Sequence, residues 1–307
     1  MVYLISAIIF GSLFAVMFRL FQQNNINSEQ AIMFNYLTGL ILSLIPIISN
    51  YNAIPTGGLY TYILSYRTLF ALVQGTFFVG GFIIMAWSTW RSGVALTTVA
   101  ARASLILSIT FCWLFLGQSA PSWIPITLIV IALLLIILPN KPQERNIHHT
   151  KSKSARKRKA AFSLIAVFLF YGISDFSLKF VQHSVERDFA NNTTMIELQL
   201  NILTTTIFVM AAILSFIYCL LKGYFKTQPL QWKTFFGGLV LGIINIGCTS
   251  YTLRALGFFS TSTFYPLYNI STVILATIIG IIFFKEKIKW LQIMGLLFAI
   301  VAIALSF

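Results

Sequence analysis

Residues 258–295 read FFSTSTFYPLYNISTVILATIIGIIFFKEKIKWLQIMG. A hydroxyl-rich opening leads into an apolar run that carries Tyr265, Pro266, Tyr268 and Asn269 and leaves through residues 278–284. A charged turn of Lys285, Glu286 and Lys287 precedes a second apolar run. Such a run is long enough to cross a bilayer as a helix. Polar side chains and a proline at its apolar depth indicate a lined cavity rather than a plain anchor; Pro266 is expected to kink or break the start of the helix, freeing a backbone carbonyl that a cavity can use.

The rest of the chain agrees with that solvent. Hydrophobic residues make up 58% of 307 positions and charged ones 9%, and the mean hydropathy is +0.87. A soluble domain carries roughly a quarter charged residues. The apolar runs are long and continuous, which excludes a β-barrel of short alternating segments. The expected fold is an all-α integral membrane protein.

The net charge of +14 is unevenly placed, with eight of the 21 basic residues in residues 140–160. No aromatic residues are interleaved with these charges, which argues against nucleic acid. A topology anchor and contact with anionic lipid headgroups both fit. Cys112, Cys219 and Cys248 lie within apolar runs, so no disulfide or thiolate metal site is expected. His148, His149 and His183 form no ligand set, and no cofactor or metal is implied. The first apolar run lacks a basic leader and reads as a permanent span.

Ten spans fit the length: 2–21, 31–49, 68–89, 94–116, 122–139, 161–182, 196–221, 234–256, 260–284 and 289–306. The longer connections are 50–66, with Pro55, Thr56, Gly57 and Gly58, and the basic segment 140–160, read as a solvated hinge. They divide the chain into 1–139, the hinge 140–160, and 161–307.

These halves look like copies. Gly75, Gly80 and Trp87 of the third span recur at one constant offset as Gly242, Gly247 and Arg254 of the eighth. Phe115–Gln118 aligns with Phe283–Glu286 after a one-residue shift, and Gly11 before Arg19 loosely matches Gly172 before Lys179. An odd number of spans per copy turns the second upside-down. Inverted repeats of this kind place a substrate site near the midplane, between them. Glycine also recurs in membrane helices for close packing alone.

With these residues in view, the chain resembles the drug/metabolite transporter superfamily in its EamA-type, ten-helix form. The resemblance covers nearly the whole length. It is carried by Phe10, Gly11 and Ser12 followed by Arg19, and by Phe284, Lys285, Glu286 and Lys287 followed by Gly295. The first half departs from the pattern, with Gln118 in place of the acidic residue. The resemblance implies a secondary transporter of small metabolites, often an exporter, working through a central cavity.

Charge sets the expected orientation. One face receives Arg19, Arg91, the basic segment, Lys222, Lys226, Lys233, Lys285, Lys287 and Lys289, whereas the other receives Arg67 and Arg187. Cytoplasmic loops are enriched in Lys and Arg. Residues 140–160 are therefore expected in the cytoplasm of a cell with this protein in its inner membrane, and both termini outside. Members of the superfamily are commonly drawn with both termini inside.

Ionisable groups at membrane depth are costly and single out candidate sites. Arg102 in the fourth span reads either as an anchor for a substrate carboxylate or phosphate, or as half of a structural ion pair. Asp175 and Lys179 share a helix face four residues apart and form an expected ion pair, with proton or cation coupling through Asp175 as the alternative. Glu197 is expected to be solvated, with Asn201 on its face. Arg254 is expected to reach water, or to make a gate contact with Glu197. Gln74, Trp87, Asn245, Tyr251, Tyr265, Tyr268 and Asn269 are the expected cavity wall, since small-molecule sites combine aromatic surface with a few placed polar groups. Tyr265 and Asn269 share a helical face. The repeat alignment sets Asn269 one position from Arg102, so Tyr265, Tyr268 and Asn269 are expected to meet Arg102 across the cavity.

The function expected is alternating-access transport of a small polar or amphipathic metabolite across the lipid bilayer. A channel is the first rival, and a membrane-embedded enzyme the second. Seven acidic residues, mostly in loops, do not converge as catalysis requires.

Overall fold

The computed structural model describes residues 1–49, 65–92, 94–137, 153–190, 192–224, 230–284 and 290–304. These residues are helical throughout, without strands. The helices are α1 (Val2–Gln23), α2 (Ser28–Ser49), α3 (Tyr66–Ser92), α4 (Val94–Ala103), α5 (Leu105–Leu116), α6 (Trp123–Ile137), α7 (Lys153–Phe189), α8 (Thr193–Leu221), α9 (Trp232–Phe258), α10 (Thr261–Phe284) and α11 (Trp290–Ala304). Six of them, α2, α3 and α7 to α10, contain segments long and apolar enough to cross a membrane.

Local chemistry explains several boundaries. Asn25 takes a left-handed φ of 53° after α1, a conformation that Asn tolerates better than most residues. Asn27 then caps α2, its Oδ1 accepting from the backbone N–H groups of Glu29 and Gln30 at 3.1 Å. Asn192 caps α8 in the same way through the Met195 N–H, at 3.0 Å. Gly117, at φ 64°, ends α5.

Three elements differ from the sequence expectation. The span expected at 161–182 is the middle of α7, which begins at Lys153 and so takes up the last part of the basic segment. Lys, Ala and Arg are good helix formers, so helicity outlasts hydropathy. Ser104 interrupts the fourth span; its hydroxyl donates to Ala101 O at 2.6 Å, and the Leu107 N–H bonds back to Ser104 O. Helix α10 continues through Pro266 rather than breaking there. Pro55 to Gly58 and the turn Lys285 to Lys287 lie outside the described residues.

The chain forms two compact units, each drawing on both halves of the sequence. The first comprises Met1–Val79, Ser177–Phe259 and Ser271–Phe283. Within it α2 packs against α8 and α9, and α1 against α9. At one end, Gln30 Nε2 reaches Tyr224 O at 3.4 Å and Phe21, Ala31 and Leu241 form a cluster. At the other, Ile47 packs with Met195, Leu198 and Ile202. The second unit comprises Gly80–Phe176, Ser260–Ile270 and Phe284–Phe307, where α6 packs against α11 and α4.

Helices α2 and α8 bury polar side chains among their apolar ones and turn an apolar stripe outward. On α2 the exposed stripe is Ile41, Leu44, Ile45 and Ile48, spaced as one helical face, while Asn35, Thr38 and Ser43 are buried. On α8 the outward stripe is Ile213, Phe216, Ile217 and Leu220, with Gln199, Thr204 and Thr205 buried. Water rejects such surfaces, and lipid accepts them. The protein is a helical membrane protein.

Close helix contacts recur in matched positions. A Cβ added at Gly75 of α3 would lie 2.5 Å from Ile207 O of α8, and one at Gly242 of α9 would lie 2.7 Å from Asn35 O of α2. At Gly80 of α3 the Phe170 ring of α7 would be 2.7 Å away, and at Gly247 of α9 the Phe10 ring of α1 would be 2.9 Å away. Exchanging α1, α2 and α3 for α7, α8 and α9 turns each contact into its partner. At Gly75 and Gly242 backbone occupies the space of a side chain, whereas at Gly80 and Gly247 a ring would have to shift to admit one.

Candidate functional site

In the second unit, Arg102 of α4 donates from Nη1 to Asn269 Oδ1 of α10 at 2.7 Å. Of Tyr265, Tyr268 and Asn269, all expected to meet Arg102, it is Asn269 that makes this bond. One turn earlier on α10, the Tyr265 hydroxyl donates to the backbone O of Asp175 on α7 at 2.5 Å. Tyr265 and Asn269 are buried, on the shared face expected for them, and Tyr268 is half-buried beside them. Its ring stacks on Phe264, with centroids 5.5 Å apart and planes 9° from parallel. Arg102 and Asp175 are also half-buried, and the charge of Arg102 acts on Asp175. The site therefore combines a cation, an anion, an amide and an aromatic wall from three helices.

Sequence reasoning missed two contributors here. Tyr171 of α7 lies within electrostatic reach of Arg102 and Asp175, and its hydroxyl donates to Gly81 O at 3.4 Å. It precedes Asp175 by one helical turn, which was the available signal. Phe264 was the other; its value comes from the stack with Tyr268. Behind the site, Ser108 Oγ of α5 donates to Gly172 O of α7 at 3.0 Å. Trp87 packs edge-on against Phe162, with centroids 6.2 Å apart, and has no described contact with the Arg102 group.

The first unit holds a second charged group. Arg254 of α9 grips Glu197 of α8 in a two-pronged ion pair, Nη2 to Oε2 at 2.6 Å and Nε to Oε2 at 3.0 Å. It also donates to Asn201 Oδ1 at 2.9 Å and to Ser250 O at 3.2 Å. Its side chain is only 16% exposed. Arg254, expected to reach water, makes the alternative contact because the start of α8 and the end of α9 lie side by side, while Glu197 keeps a side chain 45% exposed, as expected of a solvated carboxylate.

Lys179 is a further correction. It is buried, and its described hydrogen bonds go to Gln182 Oε1 at 2.7 Å and Leu256 O at 2.5 Å. The expected partner Asp175 feels Arg102 instead. Leu256 is in the last turn of α9, where carbonyls lack intrahelical donors and carry partial negative charge. A lysine amine from α7 satisfies one.

The remaining wall candidates belong to the first unit. Asn245 Nδ2 donates to Asn35 Oδ1 across α9 and α2 at 3.1 Å, and Asn35 had not been singled out. Tyr251 stacks on Phe10 at 5.7 Å and tilts against Tyr3 at 6.3 Å. Gln74 is buried in α3. Among the described residues, no three His, Cys, Asp or Glu side chains group as metal ligands would.

Comparisons with known proteins bear on the fold. No family model matches the chain. It is similar to a protein of Haemophilus influenzae described as uncharacterized, 28% identical over 307 residues and covering 98% of this chain and 95% of that one. A solved crystal structure aligns with a TM-score of 0.68 at 12% identity, over 99% of this chain and 96% of the other. At so low an identity the likeness is one of fold alone.

Proposed function

We propose that the chain is a secondary transporter, working as an exporter, that moves a small polar or amphipathic metabolite by alternating access. In this reading it has ten spans in two inverted five-helix repeats, 1–139 and 161–307, and belongs with the drug/metabolite transporter superfamily. The ten are the six long apolar helices, α1, the α4–α5 run, α6 and α11. The observation that carries the reading is the recurrence of the glycine contacts. Gly75 on α8 and Gly242 on α2, then Gly80 on Phe170 and Gly247 on Phe10, are the same two contacts made twice. A duplicated unit of five spans is necessarily inverted, and inverted repeats support rocking about a central site.

The half-buried Arg102, Asp175 and Tyr268, with buried Asn269, supply the substrate contacts. The Arg254–Glu197 pair joins two helices of the 161–307 repeat and braces it as the repeats move. The basic segment 140–160 faces the cytoplasm of an inner membrane, and the termini face outward. Purified protein in liposomes tests the proposal. Saturable uptake that is stimulated by substrate trapped inside supports a carrier. Unsaturable flux would establish a channel instead.

A further inference from the structure

Helix α7 begins at Lys153, ahead of its apolar span, so the last part of the basic segment is a rod rather than a loose connection. Farther along, its outward face is apolar, with Phe162, Ile165, Leu169 and Ile173 all exposed. Their spacing of three and four residues makes one stripe along the helix. Arg158, four residues before Phe162, continues that stripe and is exposed, with Lys159 exposed beside it. Lys153, Arg156 and Lys157 precede them in the same helix. Among the described residues no ion pair involves Arg158 or Lys159.

The neighbours of Phe162 set its depth. Its ring meets Trp87 of α3 edge-on at 6.2 Å, and Trp is enriched where hydrocarbon gives way to headgroups. At the same level Ser88 of α3 bonds Thr97 of α4 at 3.0 Å and reaches Ser163 Oγ at 3.4 Å. An aromatic pair beside a hydroxyl cluster marks the edge of the hydrocarbon. Four helical residues rise about 6 Å, and the headgroup layer on each side of a bilayer is about 5–8 Å deep. Arg158 therefore stands among headgroups while Phe162 meets acyl chains. A guanidinium at that height matches a phosphate with two parallel donors. A zwitterionic headgroup brings its own ammonium to compete for the phosphate; an anionic one does not. A soluble polyanion would make no use of the apolar stripe that runs on from the charges.

We propose that the start of α7 binds anionic phospholipid, its phosphate on Arg158 and Lys159 and an acyl chain along Phe162, Ile165 and Leu169. The site holds the basic segment to the membrane surface. It thereby ties the link between the two halves of the sequence to the lipid composition of its leaflet.

The test is lipid binding to the purified full-length protein, counted by native mass spectrometry during titration with dioleoyl phosphatidylglycerol or dioleoyl phosphatidylcholine. Phosphatidylglycerol should bind at least about fivefold more tightly, since each basic residue near an anionic surface contributes about that factor. The preference should shrink at 0.5 M salt, about as far as screening of an exposed site allows. Arg158→Gln with Lys159→Gln should erase it, whereas Lys233→Gln, an exposed cation at the start of α9, should leave it. Equal binding of the two lipids, or a preference unchanged in the double variant, would overturn the site. A photoactivatable phosphatidylglycerol gives a second readout on the unmodified protein. Its crosslinks should map to residues 158–173 and be competed by phosphatidylglycerol better than by phosphatidylcholine. Crosslinks confined to other helices would overturn the site even if the double variant failed to fold.

Discussion

Replacing Gly242 with alanine should separate α9 from α2. The added methyl would lie 2.6 Å from Thr38 Cβ and 2.7 Å from Asn35 O, where carbon contacts favour about 3.5–4.0 Å. One obstacle is backbone, which cannot rotate aside, so the helices must part by about 1 Å. Overpacking of this kind costs about 1–3 kcal/mol. The same movement stretches the Asn245–Asn35 bond, now 3.1 Å, on the same helix pair, for a further loss of about 1 kcal/mol. Together these lower the melting temperature in detergent by roughly 5–15 °C. Gly75→Ala should behave alike, since its methyl would meet Ile207 O at 2.5 Å and Met210 Cβ at 2.7 Å. Gly81→Ala is the control, because its nearest neighbour would be the Tyr171 hydroxyl at an ordinary 3.6 Å. The assay is loss of the monodisperse size-exclusion peak with heating. If Gly242→Ala and Gly75→Ala melt with Gly81→Ala, the matched close contacts are not what holds these helices.

Lys179→Met removes the donor to Leu256 O and Gln182 and should cost about 1–3 kcal/mol through unmatched buried acceptors, read as a lower melting temperature. Arg254→Ala and Glu197→Ala, combined in a double-mutant cycle, should give a coupling of about 1 kcal/mol; the forked geometry strengthens the pair and the 45% exposure of Glu197 weakens it. Tyr265→Phe should cost about 1 kcal/mol by deleting the bond to Asp175 O.

Much of this was legible because the lipid solvent leaves a plain signature. Long apolar runs gave the helices, and the offset between Gly75 and Gly242 pointed to matched positions before their neighbours were known. The meeting of Arg102 with Asn269 was expected from the next pair of spans, aligned with one extra residue. What sequence hid was mostly at helix ends. Charge spacing nominated Asp175 for Lys179, but spacing along one helix says nothing of which carbonyls another helix brings near. The grip of Arg254 on Glu197 required knowing that the start of α8 lies beside the end of α9. The start of α7 at Lys153 escaped hydropathy because its residues favour helix without favouring lipid.

Alternating access is the central claim, and two-sided labelling tests it most directly. Tyr268→Cys, in a background with Cys112, Cys219 and Cys248 replaced by alanine, puts one thiol at the half-buried edge of the Arg102 site. Sealed vesicles of each orientation are treated with a membrane-impermeant maleimide, with and without a metabolite that shows saturable uptake into the liposomes. The account predicts labelling from either side of the membrane and a ratio of the two rates that shifts when ligand binds. Labelling from one side only, unchanged by ligand, would contradict it.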